Sequence, residues 1–269
     1  MAHPNPATNK TSDYWTAFLL VAHILVLFTG FTLLAQIFDF PEVLRLSADE
    51  RLARFAAASS IIIPTYWALA MTGFSQILIS VLLAQSLRGG APKLAQLSLV
   101  FGVVTGFGQA MGFGRWAILV PWLAERIADP TTSTTGRETI ALLEGAFNRF
   151  AGMLVGEHLS NIAWGLWLAF TGLAILRARR LDRRLGGAMV ILSPLMWLLA
   201  SEQLGFASPV MTWLTDYGFP LLALIHFGLA WQLIRRPSDH EASDLGMLAY
   251  VIGAVLYAGM IWPVLTGQA

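Results

Sequence analysis

Long apolar runs alternate with short polar breaks along the chain. Seven runs stand out, at roughly 14–37, 60–86, 95–124, 150–176, 186–205, 209–234 and 245–266. Each is near the ~20 residues that a helix needs to cross the hydrocarbon core of a bilayer. The pattern predicts an all-α fold, a polytopic transmembrane helical bundle of about seven spans. Residues 14–269 read as a single membrane domain, and the polar, proline-containing residues 1–13 as a mobile tail. The fifth and sixth runs are separated only by SEQLGFASPV, with Pro194 and Pro209 inside or beside them. Six spans with a re-entrant segment at this point is the alternative reading.

Composition agrees with the pattern. The chain is 56% hydrophobic and only 12% charged, where a soluble domain carries about 25% charged residues. A net charge of +1 argues against a broad nucleic-acid surface, so the bilayer is the expected partner. There is no cysteine, which removes disulfides, thiol catalysis and iron–sulfur clusters together.

The positive charges divide unevenly between the two sides. With seven spans, ten Lys and Arg fall on the side of the N-terminus, most densely in RARRLDRR at 177–184. Five fall on the other side. Short basic loops stay in the cytoplasm. The expected orientation is therefore N-terminus in and C-terminus out, in a bacterial cytoplasmic (inner) membrane.

Two outer segments carry helix-start signals. Ser47 and Glu50 fit a capping box, and DERLARFAAA after it has one charged and one apolar face. An interfacial helix near 47–58 follows. In the structured outer loop expected over 127–149, Thr135 and Glu138 offer the same pairing.

The third span, GFGQAMGFGRWAILVPWLAER at 106–126, holds the unusual chemistry. Small residues recur at four-residue spacing, among them Gly102 with Gly106, Gly108 with Gly112, and Ala110 with Gly114. The fourth span has Gly152, Gly156 and Ser160. Such stripes let two membrane helices approach closely, so these spans are expected to form a tight antiparallel hairpin. Counting inward from the outer interface puts Arg115 and Glu157 at similar depth. Arg115 in lipid costs at least ~2.5–3.5 kcal/mol unpaired, and a Glu157 carboxylate matching its planar fork would offset much of that. His158, Asn161 and Gln109 are placed to line the same interior.

RWxxLVPxLA (Arg115 to Ala124) and FNxxAGxxxGEHL (Phe147 to Leu159) resemble the motifs of an uncharacterised bacterial family of polytopic membrane proteins, a domain of unknown function. The resemblance covers about residues 100–180. It implies a membrane bundle and no particular reaction.

Three readings of the intramembrane polar residues stay open. In one, Arg115 and Glu157 are a buried scaffold pair in a non-catalytic assembly component. In another, Arg115, Glu157, His158, Asn161 and Gln109, with Glu202 as a further candidate, form an outward pocket that binds or moves a small polar or anionic ligand. In the third, His23, His158 and His226 hold a b-type haem. No serine lies in a GxSxG setting and no HExxH occurs, so neither catalytic residues nor a metal site are expected.

Overall fold

The computed structural model describes residues 7–204 and 209–236, and every element among them is helical. The helices are α1 (Ala7–Phe38), α2 (Ala48–Ala57), α3 (Ser59–Leu87), α4 (Pro92–Ala128), α5 (Thr134–Phe147), α6 (Ser160–Ala178), α7 (Arg183–Ser201) and α8 (Pro209–Arg235). A 3₁₀ turn, Glu42–Arg45, precedes α2. Between α5 and α6 the backbone widens into a π-helix over Asn148–Leu159 without breaking, giving one continuous helix from Thr134 to Ala178. Among the described residues, six helices are long and apolar enough to cross a membrane. The expected seventh span, 245–266, lies outside the described residues.

Local chemistry sets the helix ends. Pro92 opens α4 at a position where no N–H is needed. The Asp182 side chain accepts from the Arg184 N–H and caps α7. Arg179 ends α6 in the left-handed region at φ 55°. The Ser47–Glu50 capping box is formed on α2: the Ser47 hydroxyl and N–H both donate to the Glu50 carboxylate. Those bonds hold the Glu50 carboxyl below its ordinary range, the hydroxyl contributing most. The α5 cap differs from expectation. Ser133, not Thr135, accepts from the Gly136 N–H at 3.2 Å. Starting the helix two residues earlier gives α5 an extra half turn.

The polar tail is shorter than its composition implies. α1 already begins at Ala7, and Asp13 is buried against Arg180 at 2.6 Å. This partner, 167 residues away, draws the segment into the bundle. Residues 1–6 lie outside the described part.

α4 is the central helix, and its two faces pack against different neighbours. A β-carbon on Gly106 would sit 2.3 Å from the Gly73 carbonyl of α3, and one on Gly73 equally close to the Gly106 carbonyl. On the other face, a β-carbon on Gly112 would sit 2.8 Å from the Gly156 Cα. Gly108 lies against Ser160 and the Val155 carbonyl. The glycine stripe thus divides: Gly102 and Gly106 face α3, while Gly108 and Gly112 face the π segment. Gly114 has open space around it and joins neither contact.

Buried apolar side chains form two clusters, one around Leu20, Leu83, Trp167 and Leu229, the other around Phe38, Phe55, Tyr66 and Trp116. The outer surface is apolar as well. Phe107, Ile118, Ile191 and Leu224 are 59–76% exposed, which suits a face turned to lipid.

Candidate functional site

The polar site is built around α4, where one residue step turns the side chain by about 100°. Trp116 points into an aromatic pocket, stacking on Tyr66 at 5.1 Å and meeting Phe38 edge-on at 5.2 Å. That seating fixes α4 about its own axis and aims Arg115 at the π segment. The guanidinium donates to the Gly112 carbonyl through Nη1 and to Asn148 Oδ1 through Nη2, the latter at 2.9 Å. It occupies the space beside Gly152, where a β-carbon would come within 2.6 Å of Nη2. Gly152 therefore makes room for a side chain and not for a backbone, unlike Gly156.

The expected Arg115–Glu157 fork is replaced by these bonds. Glu157 has contacts of its own and acts on Arg115 through space, as does Glu144. The reason is the π segment. Depth reckoned at the α-helical rise carries Glu157 level with Arg115, but a wider helix changes both rise and rotation between Asn148 and Leu159. Asn148, at the start of that segment, comes into reach instead.

An ion pair lies close by. Arg51 of α2 makes a two-bonded contact with Glu144 of α5, Nε to Oε1 at 2.9 Å and Nη2 to Oε2. Its Nη1 donates to the Leu46 carbonyl. Both side chains are buried.

Alongside this pair runs a cleft of about 610 Å³ between the 3₁₀ turn with α2 on one side and α5 with the π segment on the other. Its lining includes Arg45, Arg51, Arg149, Asn148 and Ser47, with apolar residues such as Leu142 and Met153, and no carboxylate residue. Arg51 is matched by Glu144. Arg45 bonds Glu42 at 2.6 Å and lies 3.8 Å from Glu202. Arg149 makes no ion pair among the described residues. Asn148 links the cleft to the interior: its carbonyl oxygen accepts from Arg115, which leaves the amide N–H groups as donors.

With this geometry described, comparison with known sequences gives one match. Residues 16–235 match the model of DUF4386, a domain of unknown function. The chain belongs to the DUF4386 family. The match reaches well beyond the 100–180 region that carries the motif resemblance. None of the curated proteins and none of the solved structures matches the chain.

Within this DUF4386 chain the sequence-predicted residues scatter. His158 Nδ1 lies 2.9 Å from the Ala200 carbonyl of α7. Asn161 is half-buried in the first turn of α6. Gln109 is buried, and its Oε1 has no hydrogen-bond partner. Glu202 turns toward Arg45. The three histidines do not assemble as one set. His23 and His226 stack at 5.7 Å, and His158 stands elsewhere, against α7. Among the described residues, no group of three or more His, Asp or Glu stands close enough to hold a metal ion.

Arg51, Glu144, Asn148 and Arg149 were missed as site residues. A signal for the first two exists. Arg51 lies among Leu52 and Phe55 on the buried side of α2, and Glu144 lies one turn from buried Ile140 on α5. Opposite charges on the apolar faces of two amphipathic helices mark a buried pair.

Proposed function

We propose that this multi-pass membrane protein binds a small anionic ligand with an apolar portion in the cleft between α2 and the π segment. The observation that carries the reading is a lining with three arginines, no carboxylate residue and an apolar wall. Arg149 supplies charge that no described partner neutralises, and Asn148 supplies neutral donors. Arg115 acts as a positioning residue, because its bond to Asn148 orients that amide. His158, on the same segment, meets the Ala200 carbonyl of α7. We also infer that the protein lies in the bacterial cytoplasmic membrane with its N-terminus inside. The charge bias supports this, and the Asp13–Arg180 pair holds the N-terminal segment and the most basic loop on one side.

Decyl phosphate tests the reading, with decyl maltoside as the uncharged counterpart. The phosphate should raise the melting temperature saturably, and Arg149→Gln should weaken its binding about tenfold, near 1.4 kcal/mol. Equal stabilisation by the maltoside, or unchanged affinity in Arg149→Gln, would contradict it. The competing scaffold reading draws on the Arg51–Glu144 pair, whose hydrogen bonds close on the protein itself.

A further inference from the structure

α4 and α6 are antiparallel neighbours, and their contact is polar at its centre and aromatic at its edge. Ser98 Oγ lies 2.6 Å from Thr171 Oγ1, buried between the two helices. Beside it Phe101 of α4 stacks on Phe170 of α6, the ring centroids 5.6 Å apart and the planes nearly parallel. Both residues are half-buried, so their outer edges form the floor of a shallow trough on the lipid side. Leu97 and Val104 flank it on α4 and Leu173 on α6, all exposed.

A cation stands on each side of the trough at one end. Lys93 precedes Phe101 by eight residues and Arg177 follows Phe170 by seven, two helical turns in each case. Because the helices run in opposite directions, both steps lead to the same end, about 10–12 Å from the aromatic pair. The spacing also keeps each cation on the trough side of its own helix. Both are exposed, and neither makes an ion pair among the described residues. The helix ends are pinned together here. A β-carbon on Gly90, just before α4, would sit 2.6 Å from the Cα of Ala178, the residue after Arg177.

Charges that only set orientation can stand anywhere in a basic loop. Lys93 and Arg177 instead stand over one apolar trough, which is the profile of a molecule with a negative head and hydrocarbon tails. The planar fork of arginine pairs with two phosphate oxygens, and lysine adds a point charge. The surrounding loops draw anions toward the same end, since residues 88–93, 177–184 and 235–236 hold nine Lys and Arg and one carboxylate, Asp182.

We propose that the trough between α4 and α6 is a site for an anionic phospholipid of the adjoining leaflet, with its phosphate between Lys93 and Arg177 and its chains along Phe101, Phe170 and Leu173. This site lies at the opposite end of the bundle from the cleft and does not depend on what the cleft binds. The competing partners for the two cations are Asp239, Glu241 and Asp244, which follow α8 in the sequence.

The test uses full-length protein reconstituted in phosphatidylcholine vesicles. These carry a trace of phosphatidylglycerol with a diazirine in one acyl chain, or of phosphatidylcholine with the same group, and labelled residues are mapped by mass spectrometry. Phosphatidylglycerol should label residues 97–104 and 170–173 about tenfold more than phosphatidylcholine does. The double variant Lys93→Gln, Arg177→Gln should bring that labelling down to the phosphatidylcholine level. Arg183→Gln with Arg184→Gln removes two exposed cations at the start of α7, which packs on another side of α6 through Gly186 and Gly172. That variant should keep the labelling within about twofold of the wild type. Equal labelling by the two lipids in the wild-type protein, the result expected if the acidic segment holds the cations, would overturn the proposal. An equal loss in the α7 variant would overturn it too, because the attraction would then be a diffuse basic field and not a site.

Discussion

Arg51 and Glu144 show how a single buried pair behaves. Each removes the other's cost, and the guanidinium Nη1 donates to the Leu46 and Leu44 carbonyls. Removing one partner leaves an uncompensated buried charge, which destabilises by about 3–5 kcal/mol. Arg51→Met and Glu144→Leu should each do so, and the double replacement should recover most of the loss. Thermal unfolding of the four proteins in detergent measures it, and additive losses would show that the two residues do not act as a pair. At this scale the sequence was readable where chemistry is local. Ser47 with Glu50 announces a cap because both partners lie within one turn. Thr135 stood out because Glu138 completes a capping box with it, but the Ser133 hydroxyl caps the helix instead, since either hydroxyl can cap a helix starting beside it. Arg115 was recognisable as a buried cation, but its partner was not, because Asn148 is a neutral residue 33 positions away.

Between helices, the deciding contacts are backbone to backbone. Gly112 and Gly156 leave no space for a β-carbon, while Gly114, two residues along α4, has nothing within 4 Å. Gly156→Val should therefore separate α4 from the π segment, at a cost above the ~1–3 kcal/mol of ordinary overpacking. Gly114→Ala should be neutral or should stabilise by up to ~1 kcal/mol, through better helix propensity. Equal effects would mean that the close approach does not hold these helices together. The glycine stripes were visible in the sequence, and so was the pairing of α4 with the fourth span. The second face of α4 was less visible, because a helix with small residues on two sides does not say which neighbour meets which side. The π segment left no mark in composition. Along it Gly152 lies against the Arg115 side chain and Gly156 against the Gly112 backbone, contacts that come from packing between helices.

Across the whole molecule, hydropathy determined most of the architecture, since lipid permits only helices or closed barrels. Four expected spans agree with α3, α4, α7 and α8 to within about four residues, the first begins seven residues early at Ala7, and the fourth lengthens into the helix Thr134–Ala178. Opposite ends of the bundle carry arginines over tryptophans, Arg126 on Trp122 at 4.9 Å and Arg235 on Trp231 at 4.2 Å, as interfacial anchors do. Orientation is testable directly, because the chain has no cysteine. In intact cells a membrane-impermeant maleimide should label Thr131→Cys and spare Gly89→Cys until lysis, and the reverse pattern would invert the topology. The cleft was not legible from hydropathy. It forms where the 3₁₀ turn and α2 fold back against α5, a long-range arrangement that brings Arg45 beside Arg149.

The central claim is that this cleft holds an anionic amphiphile, and photolabelling tests it most directly. A diazirine-bearing decyl phosphate, crosslinked to the protein in detergent and mapped by mass spectrometry, should mark residues 44–48 and 141–153. An excess of unlabelled decyl phosphate should suppress those labels, and excess decyl maltoside should not. Labels spread over the lipid-facing positions near Ile118 and Ile191, with none enriched in the cleft, would contradict the account.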